Sequence, residues 1–195
     1  AIAGARAWRV RAHHRSSNVD GEAQPTTRNS DSSVLGSAGL VWSPNKQLAL
    51  RANVAQGYIY PTLAQMFLST TAGGQGTTIG NPNLKPEKST TYEIGARYTA
   101  GGTVLDATLF YARARDYVAS VPVSPQISTY RNVDAARSWG LELHAEHRLK
   151  NWDLTPYTTF AALRRQLRYS NGYRTYDSGT PTFSGRIGVR KDWVW

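Results

Sequence analysis

The sequence contains no cysteine. Disulfide frameworks, cysteine-ligated zinc and thiol catalysis are therefore excluded. A single methionine, Met66, accompanies that absence and disfavours a soft-metal site for free copper. No apolar run approaches the ~18 to 20 residues that a transmembrane helix requires. A membrane is not excluded by this, because the strands of a transmembrane barrel alternate apolar and polar residues and look hydrophilic to a sliding window. No signal peptide opens the chain: Ala1-Ile2-Ala3-Gly4 already reads as the start of a strand and leads into Arg6, Arg9 and Arg11. An exported parent is expected to carry its leader elsewhere or to have shed it. Catalytic constellations are missing too. Gly73-Gly74-Gln75-Gly76 does not match a phosphate-binding fingerprint and is followed by no helix, so it reads as a loop tip.

What the chain does have is positive charge. Its net charge is +10, mostly from arginine and spread along the whole length. This favours an anionic partner: nucleic acid, lipid phosphate or a small anionic ligand.

A second feature is rhythm. Alternating segments near 3–14, 34–43, 47–59, 89–99, 103–117, 136–149, 152–166 and 183–194 read as strands. Tight turns at Pro44-Asn45-Lys46, Ala100-Gly101-Gly102 and Lys150-Asn151 take turns with long Ser/Thr/Gly/Asn/Pro-rich connections near 15–33, 60–88, 118–135 and 167–182. Strict alternation of short and long connections is the habit of an up-and-down transmembrane barrel. Within 139–149, Trp139, Leu141, Leu143, Ala145 and Leu149 share one face, while Gly140, Glu142, His144, Glu146 and Arg148 share the other. Trp42, Tyr98, Trp152 and Trp193 all fall at the short-turn ends of their strands, as interfacial aromatics do. The expected fold is thus all-β, an antiparallel up-and-down transmembrane barrel of which about eight strands are present.

The connection 60–88 ends in Asn81-Pro82-Asn83-Leu84-Lys85-Pro86-Glu87. It resembles the NPxLxPE box of TonB-dependent outer-membrane receptors. Gly57-Tyr58-Ile59-Tyr60-Pro61-Thr62-Leu63, Leu109-Phe110-Tyr111, Asp116-Tyr117, Tyr130-Arg131-Asn132 and Trp139-Gly140-Leu141-Glu142-Leu143 resemble further elements of that family in order and spacing. The resemblance implies a barrel of about 22 strands closed by a plug, with residues 1–195 as part of the barrel domain and the plug and last strands outside this stretch. It also implies an active-transport receptor in the outer membrane of a Gram-negative bacterium, with no enzymatic role and no cofactor. Its expected partners are a metal chelate (a ferric siderophore first), outer-membrane lipid and lipopolysaccharide, and TonB acting through the plug, with no nucleic acid. Turn chemistry explains every residue of Asn81–Glu87, so the box is expected to act as a loop-to-strand junction.

Expected substrate contacts are Tyr58, Tyr60, Arg113, Arg115, Tyr130, Arg131, Arg164, Arg165 and Arg168, toward the long-loop side, because Arg grips carboxylates and Tyr stacks. No histidine lies within 61–80, where the family's haem receptors carry one. Glu142, His144 and Glu146 stand ~7 Å apart along one face, which favours a lumenal network with Arg148 and neighbouring arginines over a metal site. Two other readings remain at this point. One is an independent eight-stranded barrel with an anchoring or adhesive role, whose C-terminus Trp193-Val194-Trp195 would suit it. The other is a soluble basic β-protein that binds nucleic acid by stacking and phosphate neutralisation.

Overall fold

Pairing, rather than packing, organises the chain. The computed structural model describes all residues except 15–17, 20–21, 24–26, 73–75, 170, 178, 180 and 192–195. The aromatic Trp193 and the Trp193-Val194-Trp195 end therefore lie outside the described residues, as do residues 73–75 of the glycine-rich stretch 73–76. Eight long strands run in chain order: β1 (Ile2–His14), β2 (Thr27–Trp42), β3 (Leu48–Ile59), β4 (Glu87–Ala100), β5 (Thr103–Ser124), β6 (Ile127–His147), β7 (Leu154–Arg168) and β8 (Phe183–Lys191). Each is hydrogen-bonded antiparallel to the next in one continuous sheet. β1 and β8 are the outer strands, and among the described residues no pairing joins them. The eight strands thus form an open wall and not a small closed barrel.

Local chemistry makes the short turns. Asn45 accepts hydrogen bonds from the Gln47 and Leu48 amides, both at 2.9 Å. Gly101 and Gly102 take positive φ (58° and 85°), the geometry that a two-residue hairpin needs and that only glycine adopts freely. The long connections are less loop-like than their composition suggests. Residues 118–135 continue β5 and β6 into a tall hairpin that turns at Pro125-Gln126. β2 likewise begins at Thr27, well inside the expected 15–33 loop.

The register sorts the side chains into two faces. One carries Leu48, Tyr98 and Leu105 in a lateral row, then Ala52, Ile94, Leu109 and Leu141, then Val54, Tyr92, Tyr111 and Trp139. The other carries Arg51, Gly95, Thr108 and Glu142, then Asn53, Glu93 and Phe110. Among the described residues only seven apolar side chains are buried, none of them large members of the apolar face, where Ile94, Leu109 and Ile187 remain 59%, 52% and 87% exposed. A one-layer sheet with such a face satisfies it only against lipid. The aromatic belt is also two-sided. Trp42, Tyr98 and Trp152 mark the short-turn end, while Tyr92, Tyr111 and Trp139, six residues higher along β4, mark a second row. Only the first is visible without the register between strands.

Leu143 and its neighbour His144 point to opposite faces. Leu143→Arg is expected to cost about 2–4 kcal/mol of folding free energy in lipid vesicles, and His144→Arg less than about 1 kcal/mol. Denaturant titration of the folded receptor checks this, and equal costs would remove the assignment of faces.

Candidate functional site

Above the apolar band, the connection between β3 and β4 folds onto the tall β5–β6 hairpin. It starts with helix α1 (Leu63–Phe67), capped by a reciprocal pair: the Gln65 amide donates to Thr62 Oγ1 (3.1 Å), and the Thr62 amide donates to Gln65 Oε1 (2.9 Å). Two short strands follow, Thr70–Ala72 and Gly76–Ile79, and the second runs parallel to Ile127–Thr129 of β6. Gly80 passes so close to the helix exit that a Cβ there would lie 3.0 Å from the backbone of Leu68.

Residues 81–87 then lock the connection down. Asn81 Nδ2 donates to the Tyr130 carbonyl (2.9 Å), and Asn81 Oδ1 accepts from the Asn83 amide (3.0 Å). Asn132 answers from the hairpin. Its Oδ1 accepts from the Lys85 amide (2.8 Å), and its Nδ2 donates to the carbonyls of Lys85 (2.9 Å) and Asp116 (2.6 Å). Glu87 Oε1 accepts from the Val118 amide (2.9 Å). Asp116 adopts left-handed φ (54°), which Asp tolerates better than most side chains. Under this clasp Met66 and Leu84, each 1% exposed, pack with Val118, Tyr60, Phe67 and Tyr130. The clasp sits above the second aromatic row, outside the membrane-spanning segments. Burial pushes the Glu87 carboxyl up, only partly countered by the Val118 amide and the charge of Arg165.

The polar face carries its own network. Arg51 lies over Gly95, where a Cβ would come within 2.7 Å of the guanidinium, and reaches across to both Asp106 oxygens and to Thr108. Glu146 approaches His144 Nε2 (3.6 Å) and Arg190 (3.8 Å). Arg190 on β8, and not Arg148, is the arginine brought to this carboxylate. No cluster that could hold a metal ion occurs among the described residues.

The expected substrate contacts do not form one site. Tyr58 donates to Asp31 (2.8 Å). Tyr60 and Tyr130 pack in the clasp core. Arg165 is engaged by Asp177 (3.3 Å), Ser138 (3.2 Å) and the ring of Tyr117. Arg131 borders a groove of about 400 Å³ with Asn132, Tyr169 and Tyr173. Arg113, Arg115, Arg164 and Arg168 share the face of Tyr111 and Trp139, and Arg164 sits over the Tyr176 ring (5.7 Å).

The family model described as TonB-dependent receptor-like β-barrel matches residues 1–194. The chain belongs to the TonB-dependent receptor barrel family. It is 28% identical over 202 residues to the vitamin B12 transporter BtuB of Vibrio vulnificus, covering 94% of this chain and 31% of that protein. It is 28% identical over 131 residues to a hemin receptor of Yersinia pestis, covering 57% of this chain and 19% of that one. Among solved structures it resembles the copper transporter OprC (TM-score 0.78, 17% identity, 98% of this chain and 30% of that chain). It also resembles the siderophore receptor PirA from Pseudomonas aeruginosa (TM-score 0.62, 20% identity, 96% and 41%). At these identities the solved structures establish the fold alone. The chain spans about a third or less of the curated relatives it matches. As part of a TonB-dependent receptor barrel, it is an outer-membrane wall segment of a non-enzymatic family.

Within this TonB-dependent receptor barrel, the motif series around Asn81–Glu87 and Tyr130–Asn132 is one structural unit. What sequence inspection missed is that the two motifs bind each other. The signal was present as two asparagine-bearing motifs flanking one hairpin. Asn132→Ala removes three hydrogen bonds, and the Lys85 amide should exchange with solvent roughly tenfold faster or more. Hydrogen exchange checks this, and unchanged protection would show that the clasp does not depend on Asn132. The pH dependence has a definite sign. A carboxyl raised by burial contributes stability that is present below its unfolded pKa and is lost as pH rises through its folded pKa. Glu87→Gln keeps the acceptor for Val118 and drops the charge. Its stability relative to the parent should therefore rise from mildly acidic to neutral pH, and a flat difference would contradict this.

Proposed function

We propose that the parent protein is an energy-coupled receptor that imports an anionic ferric chelate of the siderophore type, with this chain supplying barrel wall and extracellular loops. The carrying observation is the groove beside the β5–β6 hairpin, where Arg131 stands with Tyr169 and Tyr173 and no Asp or Glu contributes to the lining. A guanidinium that shares a groove with two phenols suits a planar, anionic, aromatic-bearing ligand. The volume, about 400 Å³, lies in the range of small-molecule sites. Met66 is buried in the clasp core and offers no thioether to a copper ion. Residues 61–80 contain no histidine for haem. TonB would act through the plug, as the family implies.

A second reading has one observation in its favour: the vitamin B12 transporter aligns over 94% of the chain. Cobalamin would then replace the ferric chelate, and the Arg131 charge would matter little.

Titration of the full-length receptor separates the two. Ferric tricatecholate should bind, and Arg131→Gln should weaken it roughly tenfold, with neutral chelates unaffected. Binding of cobalamin or haemin in place of any ferric chelate would overturn the proposal.

A further inference from the structure

Strands joined by short turns stay paired to different heights. The β4–β5 ladder climbs from Ala100–Thr103 to Lys88–Arg115, and the β6–β7 ladder from Glu146–Tyr157 to Ala135–Arg168. The β2–β3 ladder stops at Ser37–Ala55, a level that β4 marks with Thr91. Above that level β2 pairs with β1 alone, as far as His14–Thr27, and β3 pairs with β4 alone, as far as Ile59–Glu87. The two strands are already neighbours below the gap, so no strand beyond β1 or β8 closes it.

Side chains span what the ladder leaves open. Continued register would set Gly36 against Gln56, but the Gly36 amide donates to Gln56 Oε1 instead (2.8 Å). Higher up, the Tyr58 hydroxyl donates to Asp31 (2.8 Å), and Asn29 Nδ2 donates to the Pro82 carbonyl (3.5 Å). The gap thus widens upward from the reach of a glutamine to that of a tyrosine and an aspartate together. Residues of a strand present their backbone groups to alternate edges. Ser30, Ser32 and Val34 share the orientation of Gly36, so their N–H and C=O groups face the gap and pair with no strand there among the described residues. Val34 is 72% exposed. Sheets guard such edges with proline, lysine or a bulge. Residues 29–36 carry neither proline nor lysine, their register with β1 is unbroken, and their one charge, Asp31, is bonded to Tyr58.

A groove of about 610 Å³ runs from Ser33, Val34 and Leu35 at this edge to Lys88, Arg113 and Arg115. Asp116 is the single acid in its lining, and none of the three cations forms an ion pair with a carboxylate among the described residues. One wall of the groove therefore offers backbone donors and acceptors, and the other offers positive charge. We propose that the seam between β2 and β3 receives an extended acidic segment of a partner protein, added to β2 as a further strand. Strand addition takes its affinity from main-chain hydrogen bonds and its selectivity from alternate side chains. The outward side chains of the added strand carry the carboxylates, because Tyr58, Lys88 and Arg115 form one lateral row beside it and Gln56, Thr90 and Arg113 the next. A small anion would use the cations and leave the edge unpaired, whereas an extended acidic peptide uses both.

The test uses the full-length receptor in detergent micelles, with a labelled synthetic peptide of alternating glutamate and valine as probe. Fluorescence titration and amide hydrogen exchange are the readouts. At saturation, exchange at Ser30, Ser32 and Val34 should slow roughly tenfold or more. A counterpart with lysine in place of glutamate should bind at least roughly tenfold more weakly, and so should one that keeps its charges but is N-methylated at alternate amides. Ser32→Pro removes a donor that faces the gap and leaves the β1 ladder alone, so it should abolish the protection. Lys88→Gln with Arg115→Gln should weaken binding roughly tenfold and keep the protection pattern at saturation. Heat-modifiable migration shows whether each variant folds, and the N-methylated probe tests the strand on the unaltered receptor. No binding of the acidic peptide, or binding that leaves these amides exchanging at unchanged rates, would overturn the proposal. Equal binding of the N-methylated peptide would assign the groove to charge alone and overturn the added strand. Protection of the same amides without peptide, lost on dilution of the receptor, would give the edge to a second copy and overturn the acidic partner.

Discussion

Hydrocarbon offers no partner to a peptide N–H or C=O, so a chain that crosses it by strands must pair every strand with a neighbour. The other features of this wall follow from that constraint. Each long strand is hydrogen-bonded to the next through one sheet, and the pairing leaves a single layer with two faces in two solvents. The layer needs no interior, and among the described residues its two largest fully buried side chains, Met66 and Leu84, lie in the clasp and outside the strands. Through the apolar band the period of two then turns Ile94, Leu109 and Leu141 to lipid, and Arg51, Glu93 and Glu142 to water.

Once the strands leave the bilayer, the constraint relaxes and side chains take over the work of the backbone ladder. Asn132 satisfies both backbone groups of Lys85, as a neighbouring strand would. Glu87 does the same for the Val118 amide. Pro82 and Pro86 fix the chain between these points without demanding donors of their own. The clasp holds the β3–β4 connection against the hairpin, which fixes the loop-side surface on which Arg131 is displayed. A ligand groove there depends on the clasp, although no clasp residue need touch the ligand.

Much of this was legible in the sequence, and the losses have physical reasons. Alternation and turn chemistry located all eight strands, because each needs only local information. The 118–135 segment has the Ser, Pro and Thr content of a loop, yet cross-strand pairing in a hairpin overrides weak local preference. The second aromatic row escaped notice because Tyr92, Tyr111 and Trp139 align only once the register between three strands is known. The same holds for the arginines. Arg113 and Arg165 look alike in the sequence, but parity sends the first toward lipid and the second toward Ser138 and Asp177. The Arg51–Asp106 pair joins residues that share no motif, so composition carried no hint of it.

The central claim is that one face of this sheet meets lipid and the other meets water. The chain lacks cysteine, so single cysteines at Leu141, Glu142, Leu143, His144 and Ala145 can carry spin labels with no competing thiol from this segment. In receptor reconstituted into vesicles, positions 141, 143 and 145 should favour collision with dissolved oxygen, and positions 142 and 144 with a water-soluble nickel chelate. Nickel access at all five positions, with no alternation, would contradict the account.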